Sequence, residues 1–295
     1  MMKFQIVADG SCDLGREAEA LGIRVVPFYV SFDDEHSYKE IEEIGVRDFY
    51  QQMVDNPKVF PKSSLPNVGD YLEVFTEYAE QGIPVVCSCL TAKLSASYTA
   101  ACNARDILLE DMPEAKIAVF DSTVITVLHG ILLKELVKMR DDRMDYQEAV
   151  AAVTELAESG RIFFTIGSMD YLIHGGRVGR VLGVAGKSLG IRPLIAFKDG
   201  DIYPAAIARS RGKSKEKVIN VLQKYLSEVG AGADDYTAVI GYGYDYEEAV
   251  DFRKQLLASQ SFAGDVKIYQ IGATIGVHTG PYPLGVGILK HRKGQ

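Results

Sequence analysis

Hydroxyl-bearing side chains follow short apolar runs in the first half of the chain. Four such runs each lead into a hydroxyl-rich turn, at 4–8, 59–60, 84–87 and 117–120. The turns that follow them hold Ser11, Ser63, Ser64, Ser95 and Ser122. In a parallel sheet these turns gather along one edge, where open α/β sheets bind their ligands. Because hydroxyls and backbone amides are neutral donors, this set predicts a site for an anionic oxygen, especially a carboxylate.

The elements that must position these residues differ between the two halves of the chain. Through about residue 150, short strands alternate with helical stretches such as 94–109 and 125–139, which is typical of a doubly wound parallel sheet. Later, the runs 194–197 and 202–208 flank an Asp-Gly pair, a strong β-hairpin signal. We therefore predict an N-terminal α/β domain over 1–158 and a C-terminal α+β domain with a largely antiparallel sheet over 159–295.

Further segments of the second half have the apolar spacing of regular elements. We predict helices at 169–173, 214–229 and 246–259, and additional strands at 162–166, 237–242, 266–271 and 285–289.

Composition excludes several classes of protein. The 295 residues are 47% apolar and 24% charged, which is ordinary for a protein with a sizeable core. A net charge of −8 argues against general nucleic-acid binding. The four cysteines lack CxxC spacing, so we expect buried free thiols rather than a disulfide or metal site. No apolar stretch approaches the roughly 20 residues that cross a bilayer, and we expect a cytoplasmic protein.

One segment departs from the acidic average. Between residues 174 and 217 there are ten Lys and Arg against three Asp and Glu. A local basic face on an acidic protein suggests docking of phosphate, an acidic partner or an anionic membrane, although a solvated face is the simpler alternative. Six glycines from Gly175 to Gly190 puncture the same segment and would allow it to open, unless they form a tightly packed turn.

Single residues also have plain structural interpretations. Ser63 and Ser64 precede a predicted helix and would serve as N-caps, while Ser95 within a helical stretch would bond back to a carbonyl. His278, before Thr-Gly-Pro, would be an exposed turn residue, and His129 in an apolar helix favours a packed core position. Three acidic residues could be general bases or metal ligands but more commonly cap helices: Asp9, Asp13 and Asp121.

Six segments together resemble the DegV family over essentially the whole chain. They follow one another in the family's order: 9–14 (DGSCDL, for DSxxDL), 62–66 (KSSLP, for KTSxP), 94–98 (LSASY, for LSGTY), 121–122 (DS), 172–179 (LIHGGRVG, for LxxGGRIG) and 278–281 (HTGP, for HxGP). None is diagnostic alone, and their common order carries the resemblance.

The resemblance implies a long-chain fatty-acid-binding protein with a tunnel between its two domains. Many members are the carrier subunit of a bacterial fatty acid kinase, which present the acid to a separate kinase and have no turnover alone. The family's carboxylate donors fall here on Ser63, Ser95 and His278. A second shell or tunnel mouth would hold Ser11, Ser64, Ala96, Ser122, Arg177 and Thr279. No metal or cofactor is expected besides the fatty acid ligand.

Departures from the family pattern affect the tunnel more than the ligand class. Ser63 replaces a Thr but keeps its hydroxyl, and Gly10 replaces a Ser. Ala96 stands for a Gly, and Tyr282 stands where a Gly is expected after HxGP. These two larger residues put the preferred chain length in question.

Two other functions remain open at this stage. The first is a hydrolase with Ser95 or Ser11 as nucleophile and His278 as base, but neither serine lies in a G-x-S-x-G elbow. The second is a binder of a small phosphate ligand, but no GxGxxG after a strand and no GxxxxGK[ST] occurs. The Gly175-Gly176-Arg177 turn follows a helix rather than a strand, which makes it a poor phosphate loop.

Overall fold

Strands and helices alternate along the chain in the computed structural model, which describes residues 3–33, 35–181 and 191–292. The strands are β1 (Gln5–Asp9), β2 (Ile23–Val26), β3 (Tyr29–Ser31), β4 (Tyr38–Lys39), β5 (Lys62–Ser64), β6 (Val85–Cys89), β7 (Ile117–Asp121), β8 (Arg161–Thr165), β9 (Arg192–Lys198), β10 (Asp201–Ala208), β11 (Tyr236–Tyr242), β12 (Lys267–Gln270) and β13 (Leu284–Lys290). The helices are α1 (Glu17–Ala20), α2 (Val46–Asp55), α3 (Val68–Ala79), α4 (Ser97–Asp111), α5 (Thr126–Asp141), α6 (Tyr146–Ala157), α7 (Asp170–His174), α8 (Arg211–Val229), α9 (Tyr246–Ser259) and α10 (Ala273–Thr279).

The first half is built on a four-stranded parallel sheet in the order β2-β1-β6-β7, which confirms the predicted α/β architecture. Strands β1 and β6 are buried along their whole length because helices cover both faces. Successive residues of β1 face opposite sides. Val7 packs with α3 and α4, and Ile6 packs with α5.

The second half is built on a six-stranded sheet in the order β10-β9-β8-β13-β11-β12. Only its β11–β12 pair is parallel, so the predicted largely antiparallel sheet is confirmed. The predicted β9–β10 hairpin is also present. Its turn residues Asp199 and Gly200 have φ of 52° and 77°, which the hairpin twist requires.

Helix α5 packs on both sheets. Leu128 and Leu132 join one apolar cluster with Ile6 of the first sheet and with Ile162 and Val239 of the second. Contact with the second sheet is close, since a side chain at Gly241 would lie 3.2 Å from that of Val127. The predicted division at 158/159 falls between the end of α6 and the start of β8.

A third, small antiparallel sheet, β4-β3-β5, corrects one prediction about Ser63. The two apolar residues 59–60 form no strand of the parallel sheet, because this run is shorter than the four or five residues of each strand in that sheet. Ser63 therefore lies within β5 and not in a turn at the parallel sheet's edge. The N-cap of α3 is Asn67, so neither Ser63 nor Ser64 caps that helix.

All four cysteines are free thiols; Cys12, Cys87 and Cys89 are buried, whereas Cys102 is partly exposed. In the ranges described, no helix has the length and apolarity needed to cross a membrane.

Candidate functional site

A largely apolar cavity of about 330 Å³ lies where the small sheet, α7, α10 and the loop before α4 meet. Its volume is within the range of small-molecule sites. Its wall is formed by Phe28, Ser63, Ser64, Leu65, Leu90, Leu94, Ser95, Ile125, Phe164, Leu172, Arg177, Ile202, Thr274, Ile275, His278 and Thr279. Nine of these sixteen residues are aliphatic or aromatic, and the other seven carry polar side-chain groups.

The cavity wall brings together the three predicted carboxylate donors, Ser63, Ser95 and His278, although they come from distant parts of the chain. Ser63 extends from β5 and His278 from the end of α10. The Ser63 hydroxyl and the His278 Nε2 are 3.2 Å apart. Their hydrogen bond joins residues 215 positions apart. His278 thus lies in a helix and in the cavity wall, and is not an exposed turn residue.

The surroundings of the other ring nitrogen of His278, Nδ1, favour one tautomer of the neutral imidazole. Nδ1 is buried without a hydrogen-bond partner in the described chain, and it faces Gly175. A proton on Nδ1 would be a buried donor without an acceptor, whereas a proton on Nε2 can be donated to the Ser63 oxygen, so we assign the proton of the neutral ring to Nε2. Burial and then the nearby Arg177 lower the pKa of His278 to about 4. The side chain is therefore a neutral donor at neutral pH, directed toward Ser63 and the cavity.

Ser95 lies in the loop before α4, two residues before the helix begins at Ser97. Its hydroxyl oxygen accepts a hydrogen bond of 3.2 Å from the Ser97 amide. The predicted back-bond of Ser95 to a helix carbonyl is therefore wrong, because Ser95 precedes the helix. Within the described chain the Ser95 hydroxyl hydrogen has no acceptor, which leaves it free for a ligand in the cavity.

Arg177 joins two parts of the cavity mouth. Its Nε donates to the Leu94 carbonyl at 3.2 Å, and its Nη1 donates to the Gly175 carbonyl at 2.7 Å. Leu94 precedes Ser95, and Gly175 abuts His278. Arg177 lines the cavity and is also exposed, and its role at a tunnel mouth stays a prediction.

Of the six residues predicted for the second shell or mouth, three do not line the cavity. Ser11 and Ser122 are wholly buried in the core, and Ala96 is exposed at the start of α4. The cavity meets the carboxyl edge of the parallel sheet through other residues, namely Phe28 after β2, Leu90 after β6 and Ile125 after β7. Ser64 and Thr279 do line it, although the Thr279 hydroxyl donates to the Ile275 carbonyl.

The buried histidine and aspartates have structural partners. His129 is fully buried and contacts the hydroxyls of Ser11 and Ser88, as expected for a core histidine. Asp9 caps the short 3-10 turn Gly10–Cys12. Asp121 accepts hydrogen bonds from two loop amides. Among the residues described, no group of three or more His, Cys, Asp or Glu is placed to hold a metal ion.

Glu40 holds the helix that carries His278, and no motif or spacing indicated this role. Its buried carboxylate accepts from the Ala273 amide at 2.5 Å and from the Thr274 amide at 3.2 Å, at the start of α10. Burial raises the pKa of Glu40 to about 7. Asp13, beside it, also has a raised pKa because of burial.

A second, smaller apolar cavity of about 40 Å³ adjoins the main one. The two share Ile125, Phe164, Ile275 and Thr279 in their walls. The small cavity continues between α5 and the six-stranded sheet toward Ile162 and Leu284. The shared residues place the two cavities side by side, and neither Ser63 nor His278 lines the smaller one.

The basic segment is partly neutralised by the second half of the chain. Arg211 forms a bidentate pair with Glu248 of α9, and Lys215 pairs with Asp251. Arg180 lies 3.5 Å from Asp201, whereas Arg209 is exposed. Residues 182–190 lie outside the described ranges. They include Lys187, three of the six glycines and the only G-x-S-x-G sequence, at 186–190.

Comparison with known proteins gives one consistent answer. The family model "Uncharacterised protein, DegV family" matches residues 3–291. A DegV domain-containing protein of Clostridium perfringens is 29% identical over 98% of this chain and 99% of its own length. A stearic acid-binding protein from Eubacterium ventriosum has a TM-score of 0.92 at 42% identity, covering 99% of this chain and 100% of that one. A fatty-acid-binding DegV protein from Thermus thermophilus has the same fold, with a TM-score of 0.87 at 24% identity and coverage of 98% and 100%.

Proposed function

The chain belongs to the DegV family, and on this premise we propose that it binds one long-chain fatty acid in the cavity described above. The observation that carries the proposal is the meeting of Ser63, Ser95 and His278 in the wall of one largely apolar cavity. The similar protein from Eubacterium ventriosum, described as binding stearic acid, supports the same ligand class.

The polar end suits a carboxylate. A buried carboxylate without partners is costly, so donors are needed where the head group lies. Ser95 offers an unused hydroxyl hydrogen, and His278 offers Nε2–H next to the Ser63 hydroxyl. Since these donors are neutral, they hold the acid without forming an ion pair. A carboxylate oxygen held this way keeps more of its nucleophilicity toward a phosphoryl donor.

The apolar walls of the two adjoining cavities suit the acyl chain. Burying about fifteen methylenes contributes on the order of 12 kcal/mol gross, at roughly 0.8 kcal/mol each. Confinement of the chain and lost translational freedom offset much of this. We place the chain terminus toward the smaller cavity beside α5, because its wall adjoins the main cavity and is apolar.

We further propose that the protein is a carrier that presents the acid to a separate fatty acid kinase and does not turn it over alone. The basic residues from Arg177 to Lys217 would dock the kinase or an anionic membrane during transfer. Arg180 and Arg209 remain exposed for this role, whereas Arg211 and Lys215 are paired with α9. Action in the cytoplasm is part of the same proposal.

The hydrolase alternative has little support in this geometry. His278 contacts Ser63 and not Ser95 or Ser11, and its Nδ1 has no carboxylate partner in the described chain. A histidine with a pKa near 4 is also a weak general base. Native mass spectrometry of protein purified from bacteria separates the candidates. A bound fatty acid supports the carrier, a bound nucleotide supports a phosphate-ligand binder, and failure to bind added palmitate after delipidation would contradict the proposal.

A kinase-coupled assay tests the carrier role separately. The delipidated protein is loaded with palmitate and mixed with a bacterial fatty acid kinase subunit and ATP. Acyl phosphate trapped as a hydroxamate should appear only when both proteins are present. Binding of palmitate without any acyl phosphate would keep the ligand assignment and remove the kinase role.

A further inference from the structure

Asp9 binds both ends of the loop that carries Ser95. Its Oδ2 accepts from the Leu90 amide at 2.8 Å and from the Ser97 hydroxyl at 2.9 Å. Residues 90, 94 and 95 of this loop line the cavity, whereas Asp9 does not. A single fully buried carboxylate oxygen therefore fixes where the loop leaves β6 and where it enters α4.

The contact of Asp9 with Ser97 extends to the Ser95 hydroxyl. Because Ser97 donates its hydroxyl hydrogen to Asp9, its oxygen can accept from Tyr71, whose hydroxyl is 2.6 Å away. The Ser97 side chain is thus held from two sides. Its backbone amide in turn donates to the Ser95 oxygen at 3.2 Å. That bond occupies a lone pair of Ser95 and leaves its hydrogen to point elsewhere.

We propose that Asp9 is a positioning residue that sets the direction of the Ser95 hydroxyl, so that its hydrogen is presented to a carboxylate in the cavity. Asp9 touches no ligand and acts through Leu90 and Ser97. This inference deepens the proposed function and rests on it. The selectivity of the site for an acid over a neutral lipid then depends on Asp9, a residue in the core of the parallel sheet.

The Asp9→Asn variant tests this with little change in volume. The other carboxylate oxygen, Oδ1, accepts from the Ser11 amide at 3.2 Å and from its hydroxyl at 2.6 Å. Whichever way the new amide is turned, its NH₂ faces the backbone N–H of either Ser11 or Leu90. With the NH₂ toward Leu90 the bonds to the loop are lost. With it toward Ser11 they remain but change from charge-assisted to neutral, so the loop is held more weakly in either case.

The measurement is the affinity of delipidated protein for palmitate and for 1-hexadecanol, which have the same chain length. We expect wild-type protein to prefer palmitate and Asp9→Asn to lose about tenfold in palmitate affinity, with hexadecanol affinity changed by less than about twofold. Val218→Ala, a truncation in α8 away from the cavity, is the control for general destabilisation. An equal loss for both ligands in Asp9→Asn would reduce Asp9 to a structural residue.

Two further measurements test the positioning role of Asp9. In the Asp9→Asn/Ser95→Ala double variant, palmitate affinity should equal that of Ser95→Ala alone. Both changes act on the same hydrogen bond, the one from the Ser95 hydroxyl to the palmitate carboxylate. Additive losses would overturn the inference. In the ligand-free protein, hydrogen exchange at the Leu90 and Ser97 amides should accelerate in Asp9→Asn but not in Val218→Ala, and unchanged exchange would also overturn it. Wild-type protein that binds neither lipid would contradict the proposed function, and amide exchange would still decide the role of Asp9.

Discussion

The Nδ1 atom of His278 faces Gly175 so closely that a Cβ at residue 175 would lie 2.1 Å from it. The backbone of the Gly-Gly-Arg turn thus forms one wall of the imidazole's site. Any side chain at residue 175 must push the ring toward Ser63 or out of the cavity. The turn that resembles a weak phosphate loop in sequence is therefore a packing surface for the proposed carboxylate donor.

Gly175→Ala should weaken palmitate binding about as much as His278→Ala does. The first change displaces the imidazole and the second removes it, so Nε2–H is lost from the cavity in both variants. The expected loss is that of a hydrogen bond to a charged group, about 1.5–3 kcal/mol. Gly212→Ala is the matched control, because a Cβ there meets nothing within 4 Å. Titration calorimetry of the three variants provides the comparison. Normal palmitate affinity in Gly175→Ala would show that the imidazole does not need its present position.

Palmitate affinity should stay constant between pH 6.5 and 8. The pKa of His278 is lowered to about 4, so the ring is neutral throughout this range in the free protein. Titration at several pH values checks this. An affinity that rises as pH falls through 7 would mean that palmitate binds the protonated ring and raises its pKa. That result would replace the neutral donor with an ion pair.

Ser95→Ala should reduce acyl-phosphate formation more than it reduces palmitate binding. Burial of the acyl chain dominates affinity, whereas the hydroxyl orients the reacting oxygen. Rates with the kinase at saturating palmitate, compared with dissociation constants, separate the two effects. Thr165→Val, which removes a buried hydroxyl bonded to the Pro193 carbonyl, is a control outside the cavity. Equal rates in Ser95→Ala and wild type would remove Ser95 from the site.

Glu40 should make the protein less stable as pH rises from about 4.5 to 7. Burial raises its folded-state pKa from 4.5 to about 7, so in this window the folded protein holds a proton that the unfolded chain lacks. The free energy of unfolding then falls with rising pH, by at most about 3 kcal/mol from this group. Urea unfolding of Glu40→Gln at several pH values should give a flatter profile than wild type. Parallel profiles would contradict the raised pKa.

Charge reversal of Arg180 and Arg209 to Glu should slow kinase-dependent phosphorylation and acyl transfer to anionic vesicles. Neither residue lines the cavity, so palmitate affinity should remain nearly unchanged. The wild-type rates should also fall as salt rises, because contacts between exposed charges are screened over about 8 Å at physiological ionic strength.

Charge reversal of Lys224, on the exposed part of α8, is the control for the two arginine changes. Normal rates in the double variant would leave these arginines as solvated surface. Arg177 is unsuitable for this test because it lines the cavity.

The sequence predicted regular elements better than the contacts between them. Helix α9 occupies residues 246–259 as predicted, and β11 and β13 differ by one residue at their ends, because their apolar spacing is clear. The small sheet was missed, since β4 has two residues and β5 is a polar Lys-Ser-Ser strand. Such strands form because their partner β3 is present, and local propensity says little about them.

At the candidate site, too, contacts between residues distant in sequence were harder to predict than the residue types. The resemblance named Ser63, Ser95 and His278, and the structure places all three in one wall. Hydroxyl spacing alone also selected Ser11 and Ser122, which face the core. Glu40 and Asp9 act through backbone amides that are far away in sequence, and such contacts leave no pattern in the local residues.

Because α5 supplies apolar side chains to both sheets, the two halves of the chain share one cooperative core. A fragment ending near residue 158 would keep α5 but leave the face that packs against Gly241 and Gly287 in water. A fragment beginning there would lose the helix that covers its sheet. The whole chain should therefore unfold in a single transition. Exchange of halves between relatives would succeed only if α5 is transferred together with β11 and β13.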